Sequence, residues 1–215
     1  MEIFLICPVR KAGDAVNERI AAYVAELESG GDHVHWPKRD TKQDGDPVGI
    51  RICRDNREAM FVGDEVHVWH DLESRGSCLD IGMATVFDRT HPGQVVIANR
   101  DDFLAAPASP QFSLLLSLVA HAFSRPALMS MRNRWEECPP ESLSRHVTLS
   151  GDIYTFHTPP NDTGALCMYG MVFALMRSKP RKVVLDFSIT PTPNKSFDNV
   201  LLWLAEETKN GPCTV

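Results

Sequence analysis

The chain predicts an α/β protein, a parallel sheet flanked by helices. Three observations carry that prediction. Short continuous apolar runs alternate with segments of helical period, glycine, proline and acidic residues punctuate the boundaries, and the signals of tight β-hairpins are absent. Strands buried on both faces and separated by helix-length segments require crossover connections, hence parallel pairing. With 215 residues, 43% hydrophobic and 23% charged, the chain can bury a sizeable core in a single domain.

The elements follow in order. Ile3 to Val9 is an apolar run that reads as a strand. Asp14 caps a helix in which Val16, Ile20, Val24 and Leu27 recur at helical spacing, and Gly30-Gly31 ends it. His33 to Trp36 is a second strand. Pro37 to Asp46 holds no apolar residue besides its proline and reads as a solvated loop. Asp46-Pro47 opens a second helix, an acidic cap followed by proline at the first helical position, with Val48, Ile52, Ala59 and Met60 as the buried stripe running to Phe61. Glu65 to His70 is the third strand, Gly76 to Phe87 the third helix and Gln94 to Asn99 the fourth strand. Together these make a Rossmann-like or flavodoxin-like sheet.

An internal repeat accompanies this pattern. At an offset of 88 residues Gly63-Asp64 falls on Gly151-Asp152, Gly76 on Gly164, Gly82-Met83 on Gly170-Met171, Arg89 on Arg177, Pro92 on Pro180 and Val95-Val96 on Val183-Val184. Leu114 and Leu116 fall on Leu202 and Leu204. Residues 1–125 then form the main part, 126–150 an irregular connection, and 151–215 a half-domain that repeats 63–124. Chance likeness between two strand-helix units is the competing explanation. Met129 to Val147 shows no period.

Composition narrows the function. A net charge of −6 with cations and acids interspersed excludes the footprint of a nucleic-acid binder. The apolar start, Met1 to Pro8, lacks a basic leader and is too short to span a bilayer, so no membrane partner is expected. Six cysteines lie scattered without paired spacing, which fits free thiols in a reducing cytoplasm. His67 and His70 have no third ligand at useful spacing, and His33 and His35 alternate with apolar neighbours, so neither a metal nor another cofactor is expected.

In open parallel sheets, ligands bind outside the carboxyl ends of the strands, where helix amino termini present free N–H groups. The first such loop runs from Cys7 and Pro8 through Arg10, Lys11 and Gly13 to Asp14. Its two cations either meet an anion or stand as solvated surface charges. After the third strand, Ser74 and Ser77 flank Gly76 at a helix amino terminus, and Asp80 lies about one turn on. Asp80 either points into the ligand cleft or merely stabilises the helix start. Trp36, at the carboxyl end of the second strand, is placed to cover a flat base, although such residues more often fill cores and rims.

Four features, Ile3-Phe4-Leu5-Ile6-Cys7-Pro8-Val9-Arg10, Arg54-Asp55, Gly63-Asp64 and the motif Ser74-x-Gly76-x-x-x-Asp80-x-Gly82-x-Ala84, resemble the nucleoside 2-deoxyribosyltransferase superfamily. The likeness leans toward its branch of 2′-deoxynucleoside 5′-phosphate N-hydrolases. It covers about residues 1–99, and from Gly151 onward only the later half of such a domain. The resemblance implies cleavage of a base–sugar bond by a carboxylate at an oxocarbenium-like centre, with a second acid aiding the leaving base. It puts Asp80 at the principal carboxylate, Asp55 near the second acid within one residue of register, and Arg10 and Ser74 at a 5′-phosphate. Cys7, Pro8, Trp36, Gly76 and Ser77 complete the implied substrate site. A small nucleoside or nucleotide is the implied partner and a homodimer the implied assembly.

This sequence departs from that pattern in three places. Asp80 stands for Glu, Phe4 for Tyr and Pro8 for Ser, and the shorter acid retracts the carboxylate by about 1.5 Å. In the second copy Met168 replaces the acid and Asp162 takes the place of Ser74. Since family members complete each site from a neighbouring subunit, the second copy is expected to lend Asn161, Asp162 or Thr163 to the first. Two other readings remain beside the enzyme: a non-catalytic nucleotide-binding or sensing module on the same sheet, and a structural oligomer without ligand.

Overall fold

β1 (Glu2–Ile6) lies inside a four-stranded, all-parallel sheet whose strand order is β2-β1-β3-β4. The computed structural model describes residues 1–10, 12–46, 49–71 and 73–107, together with 115–116, 118–119, 147–150, 153–157, 170, 174 and 182–186. Along the chain, β1 is followed by α1 (Asp14–Ser29), β2 (His33–His35), α2 (Pro37–Asp40), α3 (Ile50–Val62), β3 (Glu65–Val68), α4 (Arg75–Thr90), β4 (Val95–Ile97) and α5 (Arg100–Ala105). Phe4 pairs with His35 on one side and Val66 on the other, and Val66 pairs with Val95.

Because side chains alternate along a strand, β1 feeds two cores. Ile3, Leu5 and Cys7 pack with Ile20 and Val24 of α1, Val34 of β2 and Trp69. Phe4 and Ile6, both fully buried, face the opposite side, where α3 and α4 lie against β1 and against each other. Burial of each such side chain contributes about 1.5–3 kcal/mol.

Several element boundaries differ from the sequence expectation, each for a local reason. Asp14 is not the cap of α1; Gly13 holds that position and Asp14 sits in the first turn. α3 begins at Ile50 rather than at Pro47, because Gly49 adopts φ 80°, a left-handed conformation that suits glycine. Asp46 still serves the helix start: its carboxylate accepts the N–H groups of Gly49 at 3.0 Å and Ile52 at 2.9 Å. The stretch after β2 is not all loop. Pro37 starts the short α2, and Asp40 accepts the Trp36 N–H at 2.8 Å, so polar capping builds the turn without a core.

A second sheet of three strands has the order β5-β6-β7, from Val147–Ser150, Ile153–His157 and Lys182–Asp186. β5 overturns the expectation that 126–150 is wholly irregular. It pairs antiparallel with β6, with Val147 opposite Phe156 and Ser150 opposite Ile153. β6 and β7 pair in parallel, with Tyr154 opposite Val183, a separation of 29 residues that equals the separation of Val66 and Val95.

Helical Gly170 lies against α4. A Cβ added there would overlap the carbonyl of Leu79 and come within 2.9 Å of the Gly82 Cα. Among the described residues no helix is long and apolar enough to cross a membrane.

Candidate active site

Strand order turns back between β1 and β3, so the chain leaves their carboxyl ends toward opposite faces, to α1 from β1 and to α4 from β3. In open parallel sheets such a reversal is where ligand crevices form. Asn99 follows β4, and its amide accepts the His70 N–H at 2.7 Å and donates to the His70 carbonyl at 2.9 Å. The end of β3 is thereby tied to that of β4.

On the α4 side, Ser74 caps the helix. Its Oγ accepts the Ser77 N–H at 3.3 Å and the Ser77 hydroxyl at 2.8 Å. Gly76 between them has nothing within 4 Å of where a Cβ would stand, leaving the turn open to close approach. Asp80 follows in the second turn of α4, beyond the free N–H groups of the helix start. Stabilising that start is therefore not its role.

Asp80 is buried, with 6% of its surface exposed. Asn56 of α3 donates from its amide nitrogen to the two carboxylate oxygens at 3.2 and 3.4 Å. Burial pushes the carboxyl up to about 7, and the Asn56 hydrogen bond opposes the rise without cancelling it. Among the described residues no cation acts on this carboxylate. Two thiols face it, Cys7 from the end of β1 and Cys53 from α3. Burial pushes Cys7 up to about 12, the Asp80 charge adds to the rise, and Trp36 and Lys38 oppose it. Burial likewise drives Cys53 upward. Both thiols are therefore neutral and poor nucleophiles.

The hydrogen bonding continues outward. Thr41 donates its hydroxyl to the Asn56 carbonyl oxygen at 3.0 Å, and His35 Nε2 lies 2.9 Å from the Thr41 Oγ. The His35 ring stacks on Phe4 with centroids 5.3 Å apart. Phe4, fully buried, thus supplies a flat apolar surface beneath the His35 ring. Desolvation lowers the His35 pKa, partly offset by Asp40.

The remaining expected residues divide. Trp36 stands at the carboxyl end of β2 against the Cys7 cluster, with the Lys38 ammonium 6.0 Å from its ring centroid. Pro8 is buried and Arg10 exposed, with no hydrogen bond or ion pair to Arg10 among the described residues. Asp55 is not at the carboxylate. It is exposed, its charge reaches His35, and the adjacent Asn56 occupies the place the sequence assigned to a second acid. Lys11, Asn161, Asp162, Thr163 and Met168 lie outside the described residues.

Sequence reasoning missed Asn56, Thr41, His35, Lys38 and Cys53. Only the one-residue latitude given to Asp55 pointed toward Asn56. His67 is held between the Tyr23 hydroxyl at 2.7 Å and Glu65 at 2.8 Å, a satisfied core histidine on the α1 side. Among the described residues no group of three or more His, Cys, Asp or Glu side chains is placed to hold a metal ion.

Chemically, the arrangement offers one buried carboxyl poised near neutrality and oriented by an amide. Comparison of the chain with protein-family models, with curated proteins and with solved structures found no match.

Proposed function

We propose that the chain is an N-glycoside hydrolase or transferase that acts on a nucleoside or nucleotide through Asp80, as the likeness to deoxyribosyltransferases implies. The observation that carries the proposal is the buried Asp80 carboxyl, raised to about 7, at the carboxyl end of a parallel sheet. Taking a carboxylate out of water without a cation costs several kcal/mol, and Asn56 offsets only part of that. Strongly perturbed acids of this kind concentrate where chemistry is done. Arg10, from the loop after β1, and Lys38, whose ammonium now bonds Asn17 at 2.8 Å, are both exposed and supply charge for an anionic group, and the open turn at Gly76 admits it. Asp55 has no part in the step. Asn56 orients the acid and exchanges no proton.

A non-catalytic nucleotide-binding module is the second reading, favoured by the absence of a second acid at Asp80 among the described residues. One experiment separates the two. The protein is incubated with nucleoside monophosphates and deoxynucleosides, and free base is sought by chromatography. The enzyme reading expects base release that Asp80→Asn abolishes. Its rate rises tenfold per pH unit below about 7 and levels off above, since the ionised acid is the active form. Ligand-induced thermal stabilisation without base release selects the binding module. Release that survives Asp80→Asn rejects the assignment of Asp80.

The repeat belongs to the same proposal. The 29-residue separation shared by the strand pairs Val66–Val95 and Tyr154–Val183 supports it. So does the packing of Gly170 on Gly82, its counterpart at the offset of 88 residues. Residues that meet their own counterparts mark a two-fold relation. On this reading β5 fills the place of β1 with reversed direction, and the second unit acts as a tethered neighbour in place of a second subunit.

A further inference from the structure

We propose that Asn56 is the positioning residue of the Asp80 carboxylate, locked in its amide orientation by a buried hydrogen-bond chain running through Thr41 to His35. The catalytic meaning of this chain rests on the N-glycosidase reading, whereas the chain itself is testable without turnover.

The direction of every bond follows from the one at Asp80. An ionised carboxylate only accepts, so Asn56 must present its NH₂ to Asp80, at 3.2 and 3.4 Å. Its carbonyl oxygen then faces Thr41 and takes the hydroxyl proton at 3.0 Å. Thr41 has a single proton to give. Its oxygen therefore accepts from His35 Nε2 at 2.9 Å, which requires that nitrogen to carry a proton. Thr41 and Asn56 are each 4% exposed, so water does not compete for these bonds, and bonds aligned in one sense in a dry interior strengthen one another.

The surroundings leave this chain in control of the acid. Asp80 is faced by Cys7 from the end of β1 and by Cys53 and Asn56 from α3; the thiols are neutral, and among the described residues no cation acts on it. At the far end, Asp40 and Asp55 favour a charged His35, while burial, His33 and Arg39 oppose it. Without Thr41 to fix it, the amide is free to turn its oxygen toward Asp80, which favours the protonated acid.

The test is a ¹³C-carboxyl NMR titration of Asp80 in the full chain. Thr41→Val, which keeps shape and removes the hydroxyl, is expected to raise the titration midpoint by about one pH unit, and Asn56→Leu by at least as much, whereas Thr41→Ser leaves it in place. Above pH 7 the neutral His35 ring should show its proton on Nε2 in the ¹⁵N spectrum. An unmoved midpoint in Thr41→Val overturns the proposal, as does an equal rise in Thr41→Ser or a proton on Nδ1. Should Asn56→Leu fail to fold, the two Thr41 variants decide alone. Midpoints that shift as expected in a protein that releases no base would uphold the positioning role and reject only the glycosidase reading.

Discussion

Asp80→Asn should make the protein more stable above neutral pH while removing the proposed base release. In the folded chain burial lifts the Asp80 carboxyl from the ordinary 3.8 to about 7, so between those values the native state holds a proton that the unfolded chain releases. Stability then falls as pH rises through that window. Below pH 3.8 both states are protonated and the penalty vanishes; above 7 it is complete. At 1.36 kcal/mol for each pH unit, the gap between 3.8 and about 7 amounts to about 4 kcal/mol. An asparagine of the same shape carries no such penalty, and its oxygen can accept the Asn56 N–H that the carboxylate accepts now. Urea unfolding of both proteins from pH 3.5 to 8.5 measures the difference, and subtracting one curve from the other cancels all groups that titrate alike. The variant should match the wild type near pH 3.5 and exceed it by up to about 4 kcal/mol at pH 8, an increase in Tm of about 10 °C for a chain of this size. A difference that stays constant with pH, or a variant less stable at pH 8, would refute the argument that Asp80 is held in a desolvated, uncompensated site.

Three further outcomes test the frame around that site. Ser74→Ala removes the acceptor of the Ser77 N–H and hydroxyl at the start of α4, and is expected to cost about 1 kcal/mol, or a fall in Tm of about 2–4 °C. Gly76→Ala, with open space around the added carbon, should leave Tm within about 1 °C, and thermal scans of the pair check both. Gly170→Ala should destabilise by about 1–3 kcal/mol despite the better helix propensity of alanine, because its methyl group would overlap the Leu79 carbonyl. An unchanged midpoint in chemical denaturation would show that the two helices do not meet at their glycines.

Much of the fold was legible because burial leaves a local trace. Ile3 to Ile6 are apolar without interruption since both faces of β1 are covered, and Ile20 and Val24 recur at helical spacing since only one face of α1 is. The starts of helices were less legible. Whether Asp14 or Gly13 caps α1, or whether α3 begins at Pro47 or Ile50, depends on backbone angles that one residue's identity does not determine. α2 escaped notice because capping by Asp40, not an apolar stripe, forms it.

At the site, the sequence by itself determined that an acid would follow the Ser-x-Gly turn after the third strand, at the carboxyl end of a parallel sheet. Only the tertiary structure decided what that acid would meet. A helix turns 100° per residue, so the choice between Asp55 and Asn56 as its partner is a choice of helix phase. That phase is set by how Cys53, Asn56 and Met60 pack inward on α3, not by any property of the two side chains. The same packing removes water from Asp80 and carries its carboxyl to about 7, because desolvation is a property of the assembled core and of no local segment.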